Sequence, residues 1–282
     1  MTVLLLGAGG LLGQTLTPYL QSAGLDWCTI IRGQTSAMGN WVHHRNCPLH
    51  GQPSRSCSPS VVINAAASWK RPDPDILRRD NFDFPLAVIE SFSRPPQSWI
   101  QTNSFFNYAF DLNGVDLDPY AHWRRKAATR IQDLAAKKGF HFSEIRLPHL
   151  VGGHSTRERM IPALVRALKS DKQFTIRQHS SHLPVVHVED AARQLAMLTT
   201  LSGTLFRRER AWVSDQMTVR EVALRTATIL GADPSLVRFA REPLIRFPAQ
   251  MLEFKEPTSL GLEKPELFTF EEMISDVQRS QA

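Results

Sequence analysis

Four glycines near the start of the chain have the spacing of a phosphate-binding turn. The apolar run 3–6 ends at Gly7, and Gly9, Gly10 and Gly13 follow it. A glycine at position 7 permits a sharp turn, glycines at 9 and 10 leave room for a phosphate, and one at 13 lets a helix lie close to the strand. The pattern predicts a dinucleotide site. An ordinary glycine-rich turn between a strand and a helix is the alternative.

The segment after the turn supplies the second half of an anion site. Leu11 and Leu12 open an apolar-periodic stretch that continues to Leu20. The first amides of a helix have no partner within it, and together with the helix dipole they attract negative charge. The expected phosphate contacts are therefore Gly7, Gly10, Leu11, Leu12 and Gly13.

A basic residue at the end of the second predicted strand bears on the choice of cofactor. That strand ends in Ile31-Arg32-Gly33. In this type of site an acidic side chain holds the ribose hydroxyls, whereas an arginine pairs with a 2′-phosphate. Arg32 thus favours NADP(H) over NAD(H), and a solvated loop arginine is the alternative.

These residues need a parallel sheet to position them. The unbroken apolar runs 3–6 and 61–64 are typical of strands buried on both faces. The second run ends in Ala65, Ala66 and Ala67, whose small side chains allow a flat ligand to approach the carboxyl edge of the sheet. The sequence predicts an α/β, doubly wound parallel sheet.

The other predicted elements follow from periodicity and from turn residues. A proline-, serine- and cysteine-rich loop over 47–59 stands where a crossover helix is expected. Predicted helices cover 11–23, 80–93, 157–170, 218–230 and 269–279. Further predicted strands cover 27–31, 41–45, 99–102, 142–147, 203–214 and 236–239. Thr218 is the expected cap of the fourth helix.

Composition excludes several classes of function. The net charge of +6 is spread along the 282 residues, which favours small anionic ligands over nucleic acid. No apolar run is long enough to span a membrane. The three cysteines and ten histidines lack metal-ligand spacing, so no metal site is expected. Without an export signal, the odd cysteine count favours a cytoplasmic protein.

The order of motifs resembles the extended short-chain dehydrogenase/reductase (NAD(P)-dependent epimerase/dehydratase) superfamily, in particular its dTDP-4-dehydrorhamnose reductase-like branch. The motifs that carry the resemblance are GAGGLLG at 7–13, INAAAS at 63–68, TNSFF at 102–106, the helix of Tyr120, IRLPHLVGG at 145–153, VVHVEDAARQLA at 185–196 and LGLEKPELFTFEEMI at 260–274. The resemblance spans nearly the whole chain. It implies a Rossmann core over 1–150 that carries the Tyr120 helix, and a mainly substrate-binding, small α/β part over 151–282, of which about 183–214 returns to the core.

The resemblance also assigns the chemistry. It makes Tyr120 the acid/base, with a basic residue one helical turn later. Free tyrosine has a pKa of about 10, so a nearby cation must stabilise its phenolate. At about 100° per residue, Arg124 lies about 40° from Tyr120 and Lys126 about 120° away. Arg124 therefore stands where the family has lysine, and it is expected to hold the nicotinamide ribose as well. A helix-start aromatic at an interface is the alternative for Tyr120.

Two further contacts follow from the resemblance. Thr102 is the hydroxyl residue expected to hold the substrate carbonyl, with Ser104 on the same strand face as the alternative. Pro148 lies where the family contacts the nicotinamide. Arg157 and Arg159, together with Lys70 and Arg71, are basic side chains available to a diphosphate, and a solvated surface charge is the alternative for each.

The implied activity is NADP(H)-dependent reduction of a keto group on a nucleotide-activated sugar or a related carbonyl compound. Two alternatives stay open: an epimerase or dehydratase with tightly held NAD(P), and a catalytically impaired NADP-binding regulatory or scaffold protein. The expected partner is a small anionic substrate, and a homodimer is expected from the resemblance.

Overall fold

A computed structural model describes residues 1–32, 41–43, 59–68, 73–104, 119–152, 159–177, 179–201, 208–210, 212–241 and 264–281. For residues 31–32, 41–43 and 208–210 it describes the backbone alone. The strands in these ranges are β1 Thr2–Leu6, β2 Asp26–Arg32, β3 Trp41–His43, β4 Val61–Asn64, β5 Ser98–Ser104, β6 His141–Leu147, β7 His149–Val151, β8 Phe174–Ile176, β9 His182–His187, β10 Arg208–Arg210, β11 Asp215–Thr218 and β12 Val237–Phe239. The α-helices are α1 Leu11–Ser22, α2 Pro74–Arg78, α3 Phe84–Ser91, α4 Pro119–Lys138, α5 Met160–Lys169, α6 Val188–Thr200, α7 Val219–Leu230 and α8 Phe270–Arg279.

The main sheet has seven strands in the order β10-β6-β5-β4-β1-β2-β3. Strand β1 pairs in parallel with β2 and β4, and β4 pairs in parallel with β5. Helices connect the parallel strands, which gives the predicted doubly wound α/β fold. Both faces of β1 are covered, because Val3, Leu4, Leu5 and Leu6 are all buried.

One edge of this sheet differs from a purely parallel arrangement. Strand β3 pairs with β2 in the antiparallel direction, with Ile30 opposite His43. An antiparallel pair of strands needs no helical crossover between them, so β3 does not require one after β2.

The helical segment between β4 and β5 also differs from the prediction. The single helix expected over 80–93 begins earlier, at Pro74, where the Asp73 carboxylate accepts the amides of Asp75 and Ile76. A π-helical turn, Arg79–Asp83, separates α2 from α3. Pro85 has no amide hydrogen to donate to the preceding turn, and in a regular α-helix its ring would clash with the carbonyl four residues earlier. A wider π-helical turn before Pro85 accommodates both effects.

Helix α4 packs on one face of the sheet with α3. Buried side chains from β1, β2, β4 and β5 form one apolar cluster with both helices, including Leu4, Cys28, Val62, Trp99, Val88 and Ile131. Helix α4 buries residues one turn apart along its length, starting with Tyr120 and Arg124. This packing sets the helix that carries Tyr120 against the strands that carry the other candidate residues.

The chain divides into two compact units. The first comprises residues 1–146 and 192–209, and the second comprises residues 147–191 and 210–282. The second unit contains a three-stranded sheet, β11-β9-β7, and a two-stranded sheet, β12-β8. Thr218 caps α7 as predicted, in a capping box with Glu221.

Within the described ranges, no helix is long and apolar enough to cross a membrane. In the same part of the chain, no three His, Cys, Asp or Glu side chains come together in a group that could hold a metal ion.

Candidate active site

The turn between β1 and α1 has no space for side chains at two of its glycines. Gly7 has a φ of 87°, and a Cβ built on it would lie 2.6 Å from the Ala66 nitrogen. A Cβ on Gly13 would lie 2.2 Å from the Gly7 carbonyl oxygen. Both neighbours are backbone atoms that cannot rotate away. The close approach therefore requires glycine at 7 and 13.

The other side of the same turn is open. A Cβ on Gly9 would meet no atom within 4 Å. Gly10 is the N-cap of α1 and supplies no side-chain cap, so the helix presents its first amides without a capping side chain. A cleft of about 560 Å³ lies beside the turn, lined by Gly7, Ala8, Gly9, Gln14, Thr17, Trp27, Thr29 and Ile30. Space, amides and helix dipole together fit the phosphates of a dinucleotide.

The segment after β4 is fixed by two buried asparagines. The Asn64 side-chain oxygen accepts the Ala66 amide at 3.2 Å, and its nitrogen donates to Gln101 at 3.0 Å. Asn81, in the π-helical turn, accepts the Ser68 amide and donates to the Ser68 carbonyl, both at 3.1 Å. Sequence reasoning missed Asn81. An asparagine within a helical segment, where its propensity is poor, was the available signal.

Tyr120 and Arg124 share the buried face of α4, and 4% and 2% of their surfaces are exposed. The Arg124 guanidinium reaches the ends of two strands. Its Nε donates to the Asn103 side-chain oxygen at 3.2 Å. Its Nη1 and Nη2 donate to the backbone carbonyls of Ala66 and Thr102. Arg124 therefore joins α4 to the carboxyl ends of β4 and β5.

Lys126 occupies a different face of the helix. It is exposed, and its Nζ lies 5.1 Å from the ring centroid of Trp123. The cation one turn from Tyr120 is therefore Arg124, as helical periodicity predicts.

The two candidate hydroxyl residues on β5 have different surroundings. The Thr102 hydroxyl donates to the Asn64 carbonyl at 2.9 Å, and the residue is buried. Ser104 ends the strand and is half-buried. The Thr102 hydroxyl already has a partner in the fold, whereas Ser104 lies at the edge where an α/β sheet meets its ligand.

A buried polar network continues from Arg124 into the sheet. The Asn103 nitrogen donates to Glu144 Oε1 at 2.6 Å, and Glu144 Oε2 lies 3.7 Å from Arg146 Nη2. Only 2%, 1% and 3% of Asn103, Glu144 and Arg146 are exposed. Sequence reasoning missed this network. Its signal was a pair of charged residues, Glu144 and Arg146, two positions apart within the predicted strand 142–147.

The sequence matches a known protein family. The model of the NAD dependent epimerase/dehydratase family matches residues 3–204. The chain belongs to this family. It is accordingly an NAD(P)-dependent enzyme of the short-chain dehydrogenase/reductase type, as its motifs indicate.

Solved structures resemble the whole chain of this family member. A UDP-glucose 4-epimerase from Thermotoga maritima with UDP-glucose has a TM-score of 0.76 at 14% identity, covering 100% of this chain and 98% of that one. A UDP-N-acetylglucosamine 4-epimerase from Methanobrevibacter ruminantium M1, in complex with UDP-N-acetylmuramic acid, has a TM-score of 0.74 at 15% identity, covering 99% and 97%. A Thermus thermophilus UDP-glucose 4-epimerase in complex with NAD has a TM-score of 0.70 at 16% identity, covering 100% and 99%. At these identities the likeness establishes the Rossmann-type fold. No curated protein matches the sequence.

The remaining predicted site residues of this epimerase/dehydratase chain lie in or near the second unit, or outside the description. Pro148 is buried between β6 and β7. Arg159 donates to the Leu150 carbonyl at 3.1 Å. Burial, aided by the positive charge of Arg159, lowers the pKa of His149 to about 4, so its imidazole is neutral near pH 7. The side chain of Arg32, and Lys70, Arg71 and Arg157 entirely, lie outside the described residues.

Proposed function

We propose that the protein interconverts nucleotide-activated sugars by reversible hydride transfer at a sugar carbon that carries a hydroxyl or keto oxygen. The observation that carries this proposal is that Tyr120 and Arg124 are both buried on α4, one helical turn apart. Arg124 also contacts the carboxyl ends of β4 and β5. The likeness to epimerases solved with UDP-sugars supports the choice of substrate class. Epimerisation, in which the cofactor ends each cycle as it began, is the reaction that these likenesses favour.

The cofactor would be held by two groups of residues. For the phosphate half they are Gly7, Gly10, Leu11, Leu12 and Gly13. For the nicotinamide half they are Ala65, Ala66, Ala67, Tyr120, Arg124 and Pro148. When bound, the nicotinamide supplies a group that accepts and returns a hydride.

Tyr120 performs the proton chemistry at the sugar oxygen. Its phenolate takes the hydroxyl proton when the carbinol is oxidised, and its phenol returns a proton when the ketone is reduced. The positive charge of Arg124 one turn away favours the phenolate. Ser104 donates a hydrogen bond to the same oxygen, or Thr102 does so in its place after turning its hydroxyl away from the Asn64 carbonyl.

Net reduction with NADPH is the second candidate, and Arg32 at the end of β2 favours it. An arginine in this position suits a 2′-phosphate, so the preference for NADP(H) over NAD(H) belongs to the proposal. The two reactions differ in stoichiometry: a reductase consumes one NADPH for each product formed, whereas an epimerase consumes none.

The experiment is turnover of a panel of nucleotide sugars and nucleotide keto sugars, with products identified by NMR and NADPH followed by absorbance. We expect the native protein to be active and Tyr120→Phe to lose at least about a hundredfold in kcat, as for a general acid/base. Product without NADPH loss identifies an epimerase, and equal consumption identifies a reductase. Cofactor binding with no turnover in the whole panel contradicts the proposal and favours the impaired, regulatory alternative.

The assembly of the protein also belongs to the proposal. A homodimer and a small anionic substrate are expected, without nucleic acid. Sedimentation analysis of the full chain tests the first expectation directly.

A further inference from the structure

Arg124 is a buried cation whose described partners are all neutral. Its three nitrogens donate to the carbonyls of Ala66 and Thr102 and to the amide oxygen of Asn103. Among the described residues no carboxylate pairs with it directly. Buried charges usually have a counter-ion, because an uncompensated charge is costly to remove from water. The charge of Arg124 therefore acts on whatever shares its face of α4, and Tyr120 is one turn away.

The nearest carboxylate in the network acts on Arg124 through Asn103. Arginine only donates hydrogen bonds and a carboxylate only accepts them. Asn103 must therefore turn its oxygen to Arg124 and its nitrogen to Glu144, as the structure has it at 3.2 Å and 2.6 Å. Glu144 fixes the orientation of Asn103, and Asn103 fixes the guanidinium.

The four side chains together carry a surplus of positive charge. Arg124 and Arg146 each carry +1, Asn103 carries none, and Glu144 carries −1, so the formal sum is +1. We propose that Asn103 and Glu144 are positioning residues that, through Arg124, set how readily Tyr120 ionises. The inference rests on the proposed acid/base role of Tyr120, and it adds a regulator to that role.

The other charged side chains described below, on α4 and on the helical elements packed against it, lie outside the network of Arg124, Asn103, Glu144 and Arg146. Arg78 pairs with Asp83 at 3.4 Å, and Arg79 pairs with Asp80 at 3.1 Å. Arg78 and Lys126 lie over the Trp123 ring, at 5.6 Å and 5.1 Å from its centroid. His122 and Arg125 complete the titratable groups near the described start of the helix. The variants below leave all of these groups in place.

The test changes the charge of the network in both directions. Glu144→Gln raises the formal sum to +2, so Tyr120 should ionise at a lower pH. Arg146→Gln lowers the sum to 0, so Tyr120 should ionise at a higher pH. A charge about 10 Å away, at an effective dielectric constant of about 20, moves such an ionisation by roughly one pH unit. A merely structural role would not move the two variants in opposite directions.

The measurement is the titration of ¹³Cζ-labelled tyrosine by NMR in the full-length protein. The chain has three tyrosines, so Tyr120→Phe assigns the signal. Asp133→Asn, an exposed change of the same charge on α4, is the matched control and should leave the titration in place. Because either single variant can fail to fold, the double variant Glu144→Gln/Arg146→Gln keeps the sum at +1 and should titrate near the native pH.

The outcomes separate this inference from the proposed function. Opposite shifts of the Tyr120 titration support the network, even if no substrate is found. Active enzyme whose Tyr120 titration is the same in all variants, or shifts in one direction in both singles, overturns the network alone. If neither single variant folds, a shift of the double variant by a full pH unit from native overturns it, and a near-native titration supports it.

Discussion

Replacing Arg124 with lysine restores the family's residue type, and the structure predicts that this change is harmful. The guanidinium contacts three acceptors on two strand ends, the carbonyls of Ala66 and Thr102 and the side chain of Asn103. A lysine ammonium carries its three N–H donors on one nitrogen atom, so it cannot reach the three separated acceptors that the guanidinium contacts. At least two buried acceptors would lose their donor.

The magnitude follows from those acceptors. Each unsatisfied buried group costs about 1–3 kcal/mol, so the loss of two donors in Arg124→Lys should lower the free energy of unfolding by about 2–6 kcal/mol. For a chain of this size, in which 1 kcal/mol shifts Tm by about 2 °C, that corresponds to a fall in Tm of roughly 4–12 °C. Because Ala66 and Thr102 border the proposed nicotinamide site, we expect weaker cofactor binding and a lower kcat in the same variant.

The assay compares thermal unfolding, cofactor titration and turnover in parallel. Arg130→Lys is the matched control, since Arg130 is exposed on the same helix. It should change the free energy of unfolding by less than about 0.5 kcal/mol. A native Tm together with faster turnover in Arg124→Lys would refute the reasoning. The three hydrogen bonds of Arg124 would then contribute nothing to stability, and lysine would serve better than arginine at this position.

Three other predictions concern the turn, the β5 hydroxyls and the half-buried His149. Gly13→Ala places a Cβ 2.2 Å from a backbone oxygen and should lower Tm and abolish cofactor binding, whereas Gly9→Ala, which meets nothing within 4 Å, should keep the native Tm. Thr102→Val removes a hydrogen bond made by a buried hydroxyl and should lower the free energy of unfolding by about 1 kcal/mol. Ser104→Ala should lower kcat more than Thr102→Val does, and the reverse order assigns the substrate contact to Thr102. The pKa of His149 is lowered from 6.5 to about 4 in the folded chain. The unfolded chain therefore binds the proton at a higher pH than the folded chain, and the free energy of unfolding falls as the pH drops from 6.5 to 4, by at most about 1.4 kcal/mol per pH unit. His149→Gln should flatten this pH dependence in denaturant titrations between about pH 4.5 and 7.

Local patterns in the sequence were sufficient to predict the glycine turn and the face of α4 that carries Tyr120 and Arg124. Gly13 is required by its close approach to the Gly7 carbonyl within the same turn, and Gly7 by its close approach to Ala66 beside β4, the neighbouring strand in the sheet. The glycine spacing of a strand–turn–helix unit indicates both positions. Helical periodicity alone placed Arg124, and not Lys126, on the face of Tyr120. Both features depend on geometry that is repeated in every α-helix and every strand–turn–helix unit.

The partners of Arg124 could not be predicted in the same way. Ala66 and Thr102 are 58 and 22 residues from it along the chain, and they contribute backbone carbonyls, which any residue type possesses. The bond from Asn103 to Glu144 spans 41 residues and depends on how two strands lie in the sheet. Residue identity carries no signal of a contact made to a carbonyl, so only the packed structure reveals it.

The exchange of lysine for arginine has a consequence for the route of the proton. Lysine can lose a proton and pass it on, whereas arginine keeps its charge throughout the pH range of proteins. In the proposed mechanism Arg124 therefore acts on Tyr120 through its charge and not by accepting its proton. Because the guanidinium is fastened to two strand ends, that charge is also fixed in position. Any proton that Tyr120 exchanges with solvent must then travel through ligand hydroxyls or water, which separates the stabilisation of the phenolate from its protonation.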